Sequence, residues 1–244
     1  MMFKKQLQKQ ISIRTKLLGL LLLFLVTFGT VVYQLVTEIN IGINFAQKER
    51  LGLEYNTPLR KILEHIIKHR SLVNSYLNGD RTLKNQIEAE QQEIENYFKT
   101  LEEIDQQIRS TLATTEKWMA LDEKWQELLG KLPSFSPQES LEEHKLIIAD
   151  IIALISHVGD TSNLILDPVL DSYYLMDAVI TKLPSSIENI ARTREIAVNI
   201  AQRQRDITTD EKIQLIILSS LIDSAIDNVN RGLKVSFNTN PNLK

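Results

Sequence analysis

Asp167, Asp171, Tyr174 and Asp177 recur at helical spacing, so a helix through them presents three carboxylates and a phenol along one face, with Tyr173 beside them. Such a row could receive a cationic or polyhydroxylated ligand. It could equally pair with Arg60, His69 and Arg70 from an earlier helix, as a polar network that stiffens a bundle. Asp167 is also placed to be an N-cap ahead of Pro168, and Tyr174 to be core. Arg60 and Arg70 pose the opposite question, because a planar guanidinium suits the carboxylate of a small organic acid or amino acid. The residues expected to bind ligand are therefore Arg60, His69, Arg70, Asp171, Tyr173, Tyr174 and Asp177. His65 and His69 stand at i and i+4, the spacing of paired metal ligands, but no Glu follows His65 and spacing supplies no third ligand. His144 and His157 show no partner pattern, so no metal and no cofactor is expected. No phosphate-cradling glycine loop, no G-x-S-x-G elbow and no kinase motif set occurs, and the chain reads as a non-enzyme.

These side chains need rigid elements to position them, and the composition favours long helices. Of 244 residues 43% are hydrophobic and 24% charged, enough for a sizeable core, while the 8 glycines and 6 prolines are too few for a turn-rich sheet fold. With no cysteine, disulfides, thiolate metal sites and a cysteine nucleophile are excluded. The net charge of -3 hides an asymmetry. Residues 1 to 37 carry Lys4, Lys5, Lys9, Arg14 and Lys16 and no acid, which leaves an acidic body that argues against nucleic acid as a partner.

From Leu17 to Val36 no charge interrupts the chain. Twenty residues at 1.5 Å each span about 30 Å, the thickness of a bilayer core. The cations before the run and Glu38 after it place the N-terminus in the cytoplasm and the rest outside, by the positive-inside rule. The run exceeds a signal-peptide core and has no Ala-x-Ala site after it, so an uncleaved anchor is expected. The domain reading is a cytoplasmic basic head at 1–16, a transmembrane helix at 17–36, an extracytoplasmic bundle at 37–236 and a tail at 237–244.

The fold predicted is all-α: the transmembrane helix continues into an elongated antiparallel helical bundle. A first helix carries Leu59, Ile62, Ile66 and Val73 to about Leu77, with Pro58 as a candidate kink, and Asn78-Gly79-Asp80 stops it. A second runs from Arg81 to Gly130, where Trp118 and Trp125 share a face and anchor the distal core. A third starts at Ser136-Pro137 and is expected to bend near Gly159. A fourth starts at Asp167-Pro168 and kinks at Pro184, and a fifth starts at the Thr208-Thr209-Asp210-Glu211 cap. Five alternating rods end far from the membrane, so a sixth helix and a second span are expected beyond Lys244.

The stretch Ser162-Asn-Leu-Ile-Leu-Asp-Pro-Val-Leu-Asp-Ser-Tyr-Tyr-Leu-Met-Asp177, followed by Leu183-Pro184, resembles a motif in the periplasmic sensor regions of methyl-accepting chemotaxis proteins and related sensor histidine kinases. Glu54-Tyr-Asn-Thr-Pro-Leu-Arg60 leading to His69-Arg70, and Asn240-Pro-Asn-Leu243, are similar to the same family. The resemblance implies a homodimer in the bacterial inner membrane that binds a small solute such as an amino acid or organic acid. It also implies a HAMP linker and a signalling module further along the chain. The competing expectation is a membrane-tethered scaffold whose acidic bundle recruits an extracytoplasmic protein.

Overall fold

A computed structural model describes residues 12–203 and 206–243, the side chain of Gln202 excepted. Most of the basic head, with Lys4, Lys5 and Lys9, lies outside the described residues, as does Lys244 of the tail. Every regular element among the described residues is helical. The chain divides into two units, residues 1–47 and 48–244.

The first unit holds the start of α1 (Ile13–Leu77). Its apolar side chains from Leu17 to Val36 are exposed, and its most apolar stretch has a mean hydropathy of 2.1 with none of it buried. This segment is long and apolar enough to cross a membrane. Thr27, Thr30 and Thr37 turn their hydroxyls back to carbonyls three or four residues earlier, which leaves those groups satisfied without water. Exposed Ile39, Ile41 and Ile43 extend the apolar surface past Glu38.

The second unit packs α1 from Lys48 onward with α2 (Lys84–Leu112), α3 (Thr115–Lys131), α4 (Pro137–Thr161), α5 (Leu170–Met176), α6 (Leu183–Arg203) and α7 (Thr209–Thr239). Tyr55, Leu59, Ile62 and Ile66 of α1 meet Ile94, Phe98 and Leu101 of α2, Leu121 and Trp125 of α3 and Ile147, Ile151 and Ile155 of α4 in one core. Each such buried side chain contributes about 1.5–3 kcal/mol. Trp118 and Trp125 stand edge-on to Phe98 at 5.1 and 6.3 Å, so both indoles are core, as their shared face predicts.

The long second helix expected from Arg81 to Gly130 is two helices. Ala113 adopts φ 50, the left-handed region that L residues avoid, and separates α2 from α3. No glycine marks the break because tertiary bonds hold it. Asp105 accepts from Tyr55 at 3.0 Å, from Thr114 at 2.6 Å and from Thr115 at 2.7 Å. His157 of α4 donates to the orphan carbonyls of Leu112 and Ala113, both at 3.1 Å.

This break reverses the direction count. Tyr55 meets Asp105, His69 meets His144, Asn56 donates to Ile155 and Asn74 to Asn199, so α2 and α4 run against α1 while α3 and α6 run with it. Helix α7 begins beside the end of α6, through the Arg203–Glu211 pair, and ends with Ser236 and Asn240 on Asp171. The last helix already returns, contrary to the expectation of an ending at the far end.

Two other expectations change. Asp167 does not cap a helix: its carboxylate accepts from Val169 N–H at 2.8 Å in a turn, and α5 starts three residues on, after the uncapped Val169. Gly159 does not bend α4, which runs through to Thr161; it gives close approach, since a Cβ there would lie 2.7 Å from Ile180 Cγ2. Between α5 and α6 a π-helical turn, Asp177–Lys182, widens the chain ahead of Pro184, whose missing N–H cannot serve the carbonyl of Ile180. The predicted starts at Ser136 and Thr208 are present as reciprocal capping boxes with Glu139 and Glu211.

Close packing and backbone strain predict opposite outcomes for two small substitutions. A Cβ on Gly52 would lie 2.1 Å from Ser162 Oγ, so Gly52→Ala should destabilise the bundle by about 1–3 kcal/mol. Ala113→Gly should stabilise it by about 0.5–1 kcal/mol by relieving the left-handed alanine. Thermal denaturation followed by circular dichroism checks both, with Gly130→Ala, which meets open space inside α3, as a reference expected to stabilise by about 0.5–1 kcal/mol.

Candidate functional site

Arg70 enters the interior because it lies on the core-facing side of α1, four residues beyond Ile66 and three before Val73. It is 3% exposed. A charge so placed must be paired, and α6 supplies the partners: Nη1 donates to Glu188 Oε1 at 2.7 Å, and Nε lies 3.3 Å from Glu195 Oε2. The second contact lacks hydrogen-bond alignment, so Arg70 Nε and Glu188 Oε2 are buried without a hydrogen-bond partner among the described residues. Burial pushes the Glu195 carboxyl above its ordinary value, Arg70 opposes this, and Glu188 adds to it.

Arg70 lines a cavity of about 310 Å³ between α1, α4, α6 and α7. Its lining is mostly polar. Lys145 pairs with Glu142, and Arg203 with Glu211. Arg192 has no carboxylate within ion-pair distance among the described residues, although Glu195 lies one turn further along α6. Asn199 and Gln214 add amides to the same wall. A guanidinium without an ion-pair partner among the described residues, beside a partly desolvated carboxylate and two amides, offers hydrogen-bond donors whose geometry suits a carboxylate.

His69, the residue before Arg70, faces the other side of α1. Its Nδ1 lies 2.8 Å from His144 Nε2, its Nε2 3.1 Å from the Gln91 amide nitrogen, and Trp125 packs edge-on at 5.1 Å. His144 Nδ1 lies 2.6 Å from the Ser140 carbonyl. Burial lowers both imidazoles, His69 well below the usual value and His144 to about 4. His65, at i−4 to His69, turns its Nδ1 to Glu90 at 2.8 Å, while His69 Nδ1 faces His144. Burial raises Glu90, but Lys68 and His65 outweigh it and hold the carboxyl below its ordinary value.

The acidic row does not meet Arg60, His69 or Arg70. Asp171 accepts from Asn240 at 2.8 Å and from Ser172 N–H at 2.9 Å, while its carbonyl accepts from Ser236 at 2.7 Å. The Asn240 bond holds its carboxyl below the ordinary range. Asp177 lies 3.6 Å from Lys182. Tyr174 packs on Gly232, where a Cβ would stand 3.0 Å from its ring, and Tyr173 stands edge-on to Tyr174 at 5.2 Å. Asp171, Tyr173 and Tyr174 thus join α5 to α7. Arg60 is exposed and, with Lys61, Glu64 and Leu183, lines a separate pocket of about 240 Å³. Of the expected ligand residues, Arg70 alone lines the cavity.

Glu188, Arg192, Glu195 and His144 had escaped notice as site residues. Glu188 and Glu195 stand seven apart, a spacing that puts two acids on one helix face, and this signal was available. Removing Arg70 leaves those acids buried together, so Arg70→Met should cost about 3–5 kcal/mol near neutral pH. Because a raised carboxyl pKa makes the folded state hold the extra proton, the deficit should shrink as pH falls toward 5. Urea denaturation at the two pH values measures both effects.

The chain matches no family model, no curated protein and no solved structure.

Proposed function

We propose that the chain is the membrane-anchored, extracytoplasmic sensing part of a bacterial signal-transduction receptor, a chemoreceptor or sensor kinase, and does no catalysis itself. The observation that carries this reading is Arg70. It is buried on the helix that also contains the apolar run, it opens on a polar cavity, and its Nε has no hydrogen-bond acceptor among the described residues. A small organic acid or amino acid entering beside Arg192 competes with Glu188 and Glu195 for the Arg70 guanidinium, so its binding favours one setting of α1 against α6 over another. A coupling of about 1–3 kcal/mol is the usual size of such an effect. The cations at Lys4, Lys5, Lys9, Arg14 and Lys16 favour an inner-membrane orientation with the bundle in the periplasm.

Exposed apolar side chains favour a second copy as partner. Leu183, Ile187 and Ile190 lie along α6, and Ile213, Ile217 and Leu221 along α7 at steps of four. These positions read as core in the sequence and are 40–53% exposed in one chain. An isologous contact between α6–α7 faces would cover them.

Titration calorimetry of the full chain in nanodiscs against a panel of amino acids and organic acids tests the reading. A binder whose affinity falls at least tenfold in Arg192→Gln supports it. A panel without binders, or a binder indifferent to both Arg192→Gln and Glu195→Gln, counts against it. In the cysteine-free chain, Ile217→Cys should form a disulfide-linked dimer under mild oxidation, and a monomer that resists crosslinking would rule out that face.

A further inference from the structure

The imidazoles of His69 and His144 form a hydrogen-bonded chain whose proton positions follow from its two ends. A carbonyl can only accept, so His144 Nδ1 carries a hydrogen toward Ser140 O. In a neutral ring His144 Nε2 then accepts from His69 Nδ1–H, and His69 Nε2 accepts from the Gln91 amide. Every nitrogen is used once, and the chain ties α2, α1 and α4 together. Both rings are fully buried.

A further proton has two places to go. On His144 Nε2 it would set N–H against N–H at 2.8 Å, which breaks the α1–α4 link. On His69 Nε2 it meets the Gln91 NH2 group, and the conflict is relieved when that amide turns over and offers its oxygen. The charge that acts on the pair is Arg70, which opposes protonation of His144. Acids on the neighbouring helices are engaged elsewhere: Glu90 with His65 and Lys68, Glu95 with Trp125 and Gln126, and Glu188 and Glu195 with Arg70. Trp125 and Ser140, which also contact the pair, carry no charge.

We propose that the His69–His144 pair is a proton-binding site through which the bundle senses acidification of the compartment that holds it, one proton entering at His69 Nε2 as Gln91 turns, so that the α1–α2 hydrogen bond reverses while the His69–His144 bond is kept. Burial lowers both rings, so the neutral chain is complete at pH 7 and uptake begins only below the usual histidine range. The contribution of the pair to stability is therefore full above about pH 6.5, the ordinary histidine value, and is lost as pH falls from there. The site is independent of any solute in the Arg70 cavity.

Nitrogen-15 NMR of the imidazoles in the full chain in nanodiscs reads the tautomers directly. Two neutral Nδ1–H rings at pH 7, with one proton gained as the pH falls below about 6.5 and before unfolding, are expected. Trp125 beside His69 supplies a second readout in a Trp118→Phe background, since an imidazolium quenches an adjacent indole. Its emission should fall reversibly over the same window, with the fall absent in His69→Gln and moved to lower pH in Gln91→Leu. A ring already charged at pH 7, or proton uptake that coincides with global acid unfolding, would overturn the proposal, as would quenching that survives in His69→Gln.

Discussion

A guanidinium buried on α1 and answered from α6 decides how the second unit is held together. Arg70 belongs by position to the core that α1 builds with α2, α3 and α4, yet its counter-charges, Glu188 and Glu195, stand on another layer. Helix α6 leaves Leu183, Ile187 and Ile190 exposed, so its seat on α1 depends on a charge pair that cannot be solvated where it lies. Apolar contacts yield gradually when helices slide. A desolvated ion pair loses much of its stabilisation when its geometry is disturbed.

Along α1 this pair is one of a series. Tyr55 meets Asp105, His65 meets Glu90, His69 meets His144, Arg70 meets Glu188 and Asn74 meets Asn199, so successive turns hold α2, α4 and α6 by polar contacts inside an apolar core. Burial and the neighbouring Asp105 carboxylate push the Tyr55 phenol upward, which keeps its proton on the Asp105 bond. A helix fastened in this way moves as a unit or not at all. That property suits a helix whose other end carries an apolar run long enough for a bilayer.

Features governed by neighbours in sequence were legible. The apolar run, the stop at Asn78-Gly79-Asp80, the capping boxes at Ser136 and Thr208 and the core face shared by Trp118 and Trp125 all follow from local chemistry and helical period. The break at Ala113 was not, because a left-handed alanine has no residue-type signature and is held by Asp105, Tyr55 and His157 from three helices. Missing that break turned the direction of every later helix. It also paired the acidic row at Asp171 and Asp177 with arginines on the wrong part of α1. Arg70 was identified by its chemistry, while its partners, set by tertiary packing, were not.

The central claim is that occupancy of the cavity beside Arg70 resets α1 against α6. Hydrogen exchange of the full chain in nanodiscs, with and without a mixture of amino acids and organic acids, tests this most directly. The account predicts matched changes in protection on α1 around Ile66–Val73 and on α6 around Glu188–Asn199, both abolished in Arg192→Gln. Unchanged exchange on α1, whatever happens at the surface of α6 and α7, would contradict it.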